Sequence, residues 1–253
     1  MTARSDDPPQ PLPRLTELPG ARPGRDPSRV IKRGPSRVPP EVVAATQRDR
    51  LFDGLARTVA LKGYTAARVT DICQAAGVTR PAFYTLFEGK DDAFLATYRH
   101  GIGVVLNLME SAYQQAGDWP AGIRAALRTL LGTLASVPAF ARLAIVEVDA
   151  AGPAARRERD RLLRRFDQFF AAAPARPGLP AAGELVGSIV GGIHSTIYHY
   201  VAQGRAAELP DLLPVLTYFA LAPFLGPAEA ARHGLADPGD GGLEPAPCGP
   251  KIG

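Results

Sequence analysis

Apolar residues recur along most of the chain at the spacing of one buried helix face. In the first such stretch Phe52, Leu55 and Val59 fall on the same side of a helix, because an α-helix repeats every 3.6 residues. No stretch alternates apolar and polar residues for long enough to predict a β-strand. The pattern therefore predicts an all-α protein.

Glycine, proline and aspartate separate the predicted helices. These run over about 39–62, 69–76, 80–87, 91–115, 120–135, 138–150, 153–173, 181–204 and 210–225. The first fits the end preferences of helices, since Pro39 and Glu41 stand at its start and Lys62-Gly63 at its end. The second and third are short and the rest are long. We expect a three-helix N-terminal domain over 39–92 and a larger helical bundle over 93–226.

The two ends of the chain differ from this pattern. Residues 1–38 are rich in proline and carry eight Lys or Arg against four Asp or Glu, a net charge of +4 that equals that of the whole chain. We predict a disordered basic arm whose Arg33 and Arg37 approach phosphates. A solvated leader without a role is the alternative. Residues 227–253, rich in Gly and Pro, are expected to form a disordered tail.

Composition sets only broad limits. Hydrophobic residues make up 46% of the chain, enough for a sizeable core, and the mild basicity permits a polyanionic partner without identifying one. The two cysteines, Cys73 and Cys248, suggest no disulfide framework, and no export signal is visible. We expect a cytoplasmic protein. The apolar run 185–202 contains several polar residues, so we interpret it as a buried helix and expect no membrane partner.

The second and third predicted helices have the features of a helix-turn-helix motif. Two helices that cross at a tight turn need a residue that accepts positive φ, and Gly77 supplies it. Ala75 and Ala76 are small, so the helices can approach closely. Thr79 can cap the third helix, whose positive N-terminus would then face a phosphate-rich surface.

The start of the third helix carries the candidate base contacts. Phe83 and Phe87 are four residues apart and should face the core, which leaves the first turn outward. There Arg80 can bond a guanine edge, and Tyr84 can reach a phosphate. Phosphate contacts would fix the register, and base contacts would carry the specificity. The full set of predicted DNA contacts is Thr70, Thr79, Arg80, Pro81, Ala82, Tyr84 and Lys90, together with Arg33 and Arg37 of the arm.

Over about residues 42–94 the chain resembles the tetracycline-repressor (TetR-like) family. The shared features are Gly63-Tyr64, Thr70-x-Ile72, Ala76-Gly77-Val78-Thr79, Phe83-Tyr84, Phe87, and Lys90 with an acid after it. One position departs: Leu86 stands where the family commonly has a histidine or tyrosine that touches the DNA backbone, so we assign no contact there.

The resemblance implies a function. It implies a homodimeric repressor on palindromic double-stranded DNA, with half-sites about 34 Å apart. It also implies a small-molecule effector that binds the C-terminal domain and releases the DNA, which requires the effector to prefer the off-DNA conformation. A DNA-binding activator or architectural protein without a ligand remains the alternative.

The C-terminal half offers candidates for the two remaining roles. Gly183, Gly187, Gly191 and Ser195 repeat at i+4 and form a smooth ridge. The resemblance implies that the last two helices make a four-helix dimer interface, and packing of the ridge within one subunit is the alternative. Candidate effector contacts are the aromatic and polar residues expected on inward faces, for which plain core is the alternative: Trp119, Phe140, Glu147, Phe166, Phe170, His194 and Tyr198, with Val146 and Phe169 beside them.

Nothing in the sequence favours catalysis. We find no Ser-His-Asp elbow, HExxH, P-loop or dinucleotide-binding glycine pattern. His194 and His199 are five residues apart, about 140° around a helix, so they share no metal-binding face. We therefore expect no enzyme, no cofactor and no metal. A helical enzyme using His194, His199 or Cys73 is one alternative, and a helical protein-interaction module is another.

Overall fold

The structure, a computed structural model, describes residues 39–175 and 182–235. Within these ranges the regular elements are all helices, so the predicted all-α class is confirmed. The helices are α1 (Pro40–Lys62), α2 (Val69–Ala76), α3 (Arg80–Tyr84), α4 (Lys90–Gln114), α5 (Trp119–Ser136), α6 (Pro138–Arg142), α7 (Pro153–Leu163), α8 (Ala182–Ala202), α9 (Leu213–Leu225) and α10 (Pro227–Leu235). The predicted basic arm, with Arg33 and Arg37, lies outside the described residues, as does Cys248.

Three segments of π or 3₁₀ helix adjoin α-helices in the described residues. A π-helical turn, Leu143–Glu147, follows α6, and a 3₁₀ segment, Arg164–Phe170, follows α7. A second 3₁₀ segment, Ala206–Leu212, leads into α9. The sequence pattern predicted single continuous helices at the first two of these places, since hydrophobic spacing does not resolve changes of pitch.

The N-terminal helices follow the prediction closely, except at the end of the third helix. The bounds of α2 are those predicted, and α1 differs by one residue. The third helix is shorter than the predicted 80–87, since it ends at Tyr84. A further backbone bond, from the N–H of Phe87 to the carbonyl of Phe83 (2.9 Å), extends the turn. Phe87 therefore still packs inward, at 5% exposure.

The expectation of a disordered tail from residue 227 is wrong for its first nine residues, which form α10. Gly226, with φ of 87°, ends α9, and Pro227 then starts the new helix. Small residues let α10 lie close to α9: a Cβ on Gly234 would stand 2.9 Å from the carbonyl oxygen of Pro214. Arg124 of α5 donates a hydrogen bond to the Gly234 carbonyl (3.0 Å). Residues 236–253 lie outside the described range.

We call α1–α3 the head and α4–α10 the body. Leu55, Ile72 and Phe83 form the centre of the head core, and each is at most 1% exposed. Helix α4 joins the two parts, because Phe94 near its start packs edge-on against Tyr64 of the head (5.0 Å between ring centres) while Leu106 is buried in the body. The proposed domain boundary at residues 92–93 thus falls in the first turn of α4.

Among the described residues, the stretch Ala206–Leu225 is long and apolar enough to cross a membrane. In the structure it consists of the second 3₁₀ segment and α9, and it packs against α5 and α10.

Candidate nucleic-acid interface and body cavity

The turn between α2 and α3 depends on glycine. Gly77 has φ of 63° and ψ of 34°, in the left-handed region that side chains with a Cβ rarely adopt. Its neighbour Val78 donates a backbone hydrogen bond to the carbonyl of Cys73 (3.0 Å), which closes the end of α2. The direction of α3 relative to α2 is therefore set by a residue that the sequence pattern singled out.

A second glycine sets the distance between α1 and α2, and sequence reasoning missed it. A Cβ built on Gly54 would stand 2.8 Å from the Cβ of Ala76 and 2.9 Å from the carbonyl oxygen of Ile72. The two helices therefore touch backbone to backbone at this point. The available signal was an isolated glycine inside an otherwise regular helical pattern.

Helix α3 has one anchored side and one exposed side. Phe83 is fully buried, and its ring lies 5.5 Å from that of Phe87. Thr79 caps the helix by accepting a long hydrogen bond from the backbone N–H of Ala82 (3.4 Å). On the opposite side the predicted contact residues reach solvent: Thr79, Arg80, Pro81 and Tyr84 are exposed and Ala82 is half-buried. We call this set, residues 79–82 and 84, the leading edge.

Lys90 makes contacts that the sequence did not predict. Its ammonium donates to the carbonyls of Tyr64 (2.9 Å) and Ala67 (3.1 Å) and lies 4.2 Å from the centre of the Tyr64 ring. Two of its three N–H groups are thus committed to the loop between α1 and α2. These contacts tie that loop to α4, and the phosphate contact of Lys90 stays a prediction. Thr70, on α2, is exposed and makes no such contact with α4 in the described residues.

A buried carboxylate joins the head to the body. The backbone N–H of Tyr64, just after α1, donates to Oε2 of Glu147 (2.8 Å), which ends the π-helical turn. Oε1 of Glu147 pairs with Arg142 (3.3 Å), and Glu147 is 8% exposed. A charged acceptor strengthens the bond to the amide. Glu147, predicted to contact the effector, instead holds the head against the body.

Replacing Glu147 by Gln should therefore loosen this junction. The variant keeps the shape of the side chain but loses the charge, and we expect it to lower the free energy of unfolding by about 1–3 kcal/mol. The exchange of the Tyr64 amide proton with solvent should accelerate. Asp149→Asn, which removes a neighbouring exposed acid paired with Arg159, is the control. Equal Tyr64 exchange rates in both variants and the wild type would disprove the junction.

The body encloses an apolar cavity between α4, α5, α7 and α8. The space between its walls is about 840 Å³, a volume that includes open solvent. Apart from Tyr98 and His194, the side chains that line it are aliphatic, aromatic or thioether. They are Ile102, Val105, Met109, Ile123, Ala126, Leu127, Leu130, Leu134, Ile145, Leu162, Leu163, Phe166, Phe169, Phe170, Val190, Ile193, Ile197 and Ala220.

The cavity brings together only part of the predicted effector set. Phe166, Phe170 and His194 line it. Trp119 lies behind the wall, where its Nε1 donates to the carbonyl of Phe169 (3.0 Å). Glu147, Phe140 and Tyr198 do not line the cavity. Phe140 is fully buried against Gly101, and Tyr198 is 40% exposed on the outer side of α8. The spacing of hydrophobic residues along a helix did not show which inward faces line a cavity and which pack tightly.

The surroundings of His194 favour its uncharged imidazole. Burial lowers the pKa of His194, the nearby Arg159 guanidinium lowers it as well, and Asp149 and Asp160 each oppose this with a smaller effect. Its Nε2 is buried without a hydrogen-bond partner among the described residues.

The outer side of α8 leaves the small-residue ridge open. Gly183, Gly187, Gly191 and Ser195 are exposed, and a Cβ on any of the three glycines would meet no described atom within 4 Å apart from the backbone of its own helix and its chain neighbours. Among the described residues, the ridge therefore does not pack against another part of the same subunit. Four further apolar side chains on α8 and α9 are also exposed: Tyr198, Val215, Tyr218 and Phe219. We call the ridge and these four residues the α8–α9 face.

The side chains considered for catalysis are poorly suited to it. Cys73 is 5% exposed, and burial raises the pKa of its thiol, which disfavours the nucleophilic thiolate. His199 is exposed and its Nε2 contacts the side-chain amide of Gln203 (3.1 Å).

Comparison with known proteins relates this geometry to a family. Residues 51–97 match the family model described as bacterial regulatory proteins, tetR family. The fatty acid degradation regulator FadR from Bacillus halodurans superposes with a TM-score of 0.64 at 18% identity, covering 74% of this chain and 97% of that one. FadR from Bacillus subtilis, solved in complex with stearoyl-CoA, gives 0.60 at 17% identity, with 70% and 97% covered. A TetR-like transcriptional regulator from Rhodococcus sp. RHA1 gives 0.53 at 20% identity, with 74% and 99% covered. A search of curated proteins gives no significant match.

Proposed function

We propose that this chain is a member of the tetR family of bacterial regulatory proteins, whose model matches residues 51–97, and that it is a transcriptional repressor released from its operator by a small molecule. It binds a palindromic operator as a homodimer, and the effector enters the body cavity. The observation that carries the proposal is the division of α3 into a buried anchor, Phe83, and an exposed leading edge with Arg80 in its first turn.

The leading edge has the chemistry of a major-groove surface. In a helix-turn-helix protein the N-terminal residues of the second helix lie nearest the bases. Arg80 presents a planar fork that matches the O6 and N7 acceptors of guanine, and Pro81 offers an apolar surface to a thymine methyl group. Tyr84, with half of its surface exposed, is positioned for a phosphate. Thr70 on α2 would contact the DNA backbone next to that phosphate.

The charge distribution suggests different roles for the head and the arm in DNA binding. Residues 39–92 contain seven Lys or Arg and seven Asp or Glu, so their formal charges cancel, whereas residues 1–38 carry +4. Attraction to phosphates scales with the cations that displace counterions from the DNA. We therefore assign the long-range attraction to the arm, with Arg33 and Arg37 closest to the head in sequence, and the base contacts to the leading edge.

A second copy of this chain is the proposed partner of the α8–α9 face. Smooth ridges of small residues let helices approach closely, and a two-fold axis requires a self-complementary surface. The face pairs such a ridge with exposed aromatic rings, of which Tyr218 and Phe219 lie on α9. Two heads related by a two-fold axis would match half-sites about 34 Å apart.

The cavity and the head junction share one short element, which suggests how release occurs. Ile145 lines the cavity, and Glu147, two residues later on the same π-helical turn, accepts the hydrogen bond from Tyr64. An effector that fills the cavity would displace this turn and change the angle of the head. Release follows only if the effector binds the off-DNA arrangement more tightly than the other.

Arg80→Ala tests the proposed reading surface. On the duplex that the wild type selects from a random pool, the variant should bind about 10- to 100-fold more weakly, because one bidentate base contact is worth about 1–3 kcal/mol. Its preference for one base in each half-site should also disappear.

Arg165→Ala is the matched control, since Arg165 is an exposed arginine of the body and the variant has the same net charge. It should retain the base preference of the wild type. Unchanged affinity and preference in Arg80→Ala would exclude this edge as the reader of sequence.

A further inference from the structure

Among the described residues that line the body cavity, one buried side-chain polar atom lacks a partner. His194 and Tyr98 are the only lining residues with a strong hydrogen-bonding side chain. The Nε2 atom of His194 is buried, and no described residue bonds to it. A buried polar group that stays unpaired is costly, and such groups in native proteins are almost always satisfied by the protein, by water or by a ligand.

The surroundings of His194 disfavour an anion as its partner. Arg159, the cation whose charge acts on His194, is already paired with Asp149 and Asp160. These three groups together carry a net charge of −1. No side chain that lines the cavity is charged near neutral pH, so an anionic group inside it would lack a counter-ion and would lose its hydration.

From this arrangement we infer that the effector is a predominantly apolar molecule that carries an uncharged hydroxyl or carbonyl oxygen bound by His194. The inference rests on the proposed function, because it takes the cavity as the effector site. A neutral imidazole serves both kinds of oxygen: Nε2 accepts from a hydroxyl in one tautomer and donates to a carbonyl in the other. The aliphatic and aromatic walls hold the rest of the molecule. His194 then determines which apolar molecules the cavity selects.

The chain contains its own reporter of cavity occupancy. Trp119 is the only tryptophan, its Nε1 donates to the Phe169 carbonyl, and its ring lies 6.3 Å from that of Phe170. Both phenylalanines line the cavity, so a bound molecule that moves either ring should change the Trp119 emission. The reporter itself stands behind the wall and does not contact the probe.

The test titrates 1-octanol, 2-octanone, octanoate and octane into the full chain while Trp119 emission is recorded at neutral pH. In the wild type both oxygen-bearing neutral probes should bind, and octanoate should bind more weakly than 1-octanol. In His194→Leu the ratio of octanol to octane affinity should fall about tenfold, the effect of one lost hydrogen bond. His194→Gln, whose amide can donate and accept, should retain most of the ratio.

Tyr98→Phe is the matched control, because it removes the other polar group and leaves the ring. It should keep the wild-type ratio. An unchanged ratio in His194→Leu, or tighter binding of octanoate than of octanol, would overturn the role of His194 while leaving the effector cavity intact. If none of the four probes binds the wild type, the cavity is not an effector site and the ligand-release part of the proposed function fails as well.

Discussion

Phe83→Ala should destabilise the head by about 3–5 kcal/mol, the usual cost of emptying a fully buried phenylalanine site. Helix α3 has only five residues, far fewer than an isolated helix needs in water. Its position therefore depends on packing. The Phe83 ring lies beside that of Phe87, which in turn lies 6.1 Å from the Phe52 ring of α1. Without Phe83 the leading edge has no fixed orientation, and DNA binding should be lost.

The loss should be confined to the head. Thermal unfolding followed by circular dichroism should show an early partial transition in the variant, while the emission of Trp119 in α5 should report the body at its wild-type temperature. Tyr84→Ala is the neighbouring control: its ring is 50% exposed, so it should leave stability nearly unchanged and weaken only DNA binding. A Phe83→Ala chain that loses less than about 1 kcal/mol would show that α3 is anchored by other contacts.

Gly187→Leu should convert the proposed dimer to a monomer. Within one chain we expect the change to be tolerated, because the added Cβ meets no described atom within 4 Å apart from the backbone of α8 and its chain neighbours, and leucine favours a helix more than glycine does. Across a two-fold interface the new side chain would hold two copies of α8 apart. Sedimentation should then detect monomers.

Affinity for the palindrome should fall steeply at the same time. Two linked heads gain from the high effective concentration of the second head once the first is bound, and a monomer loses that gain, commonly about 10²–10⁴-fold. Gly103→Leu is the matched control, since Gly103 lies within α4 and a Cβ there also meets nothing within 4 Å. It should remain dimeric. An intact dimer in Gly187→Leu would move the interface to another surface.

The head was the most predictable part of the chain because its signals are local. The positive φ at Gly77, the cap at Thr79 and the spacing of Phe83 and Phe87 each involve residues within a few positions of one another. Local geometry dictates these residue types, so the sequence alone predicts the motif and its exposed edge.

The contacts that join distant segments were not predictable in the same way. Tyr64 and Glu147 are 83 residues apart, and Lys90 bonds to carbonyls 26 and 23 residues earlier. A glutamate or lysine in a helical pattern has the same local signature whether it faces solvent or a buried amide. Tertiary packing decides between these outcomes, and it does not show in the periodicity of the sequence.

The cavity shows the same limit for apolar residues. Phe140 and Phe166 were both predicted to lie on inward helix faces. Phe140 fills the space beside Gly101, whereas Phe166 lines the cavity. The difference arises from the residues opposite each ring. Helix α10 was not predicted because its small residues, such as Ala230 and Gly234, are also typical of disordered tails. In the structure these small residues permit close packing on α9.

The most direct measurement of the central claim is selection of bound duplexes from a random pool, followed by titration of the enriched sequence at several salt concentrations. The account predicts an inverted repeat whose half-site centres lie about 10 base pairs, or a multiple, apart, and an affinity that falls steeply as salt rises. A pool that returns no enriched sequence, with every duplex bound equally, would contradict it.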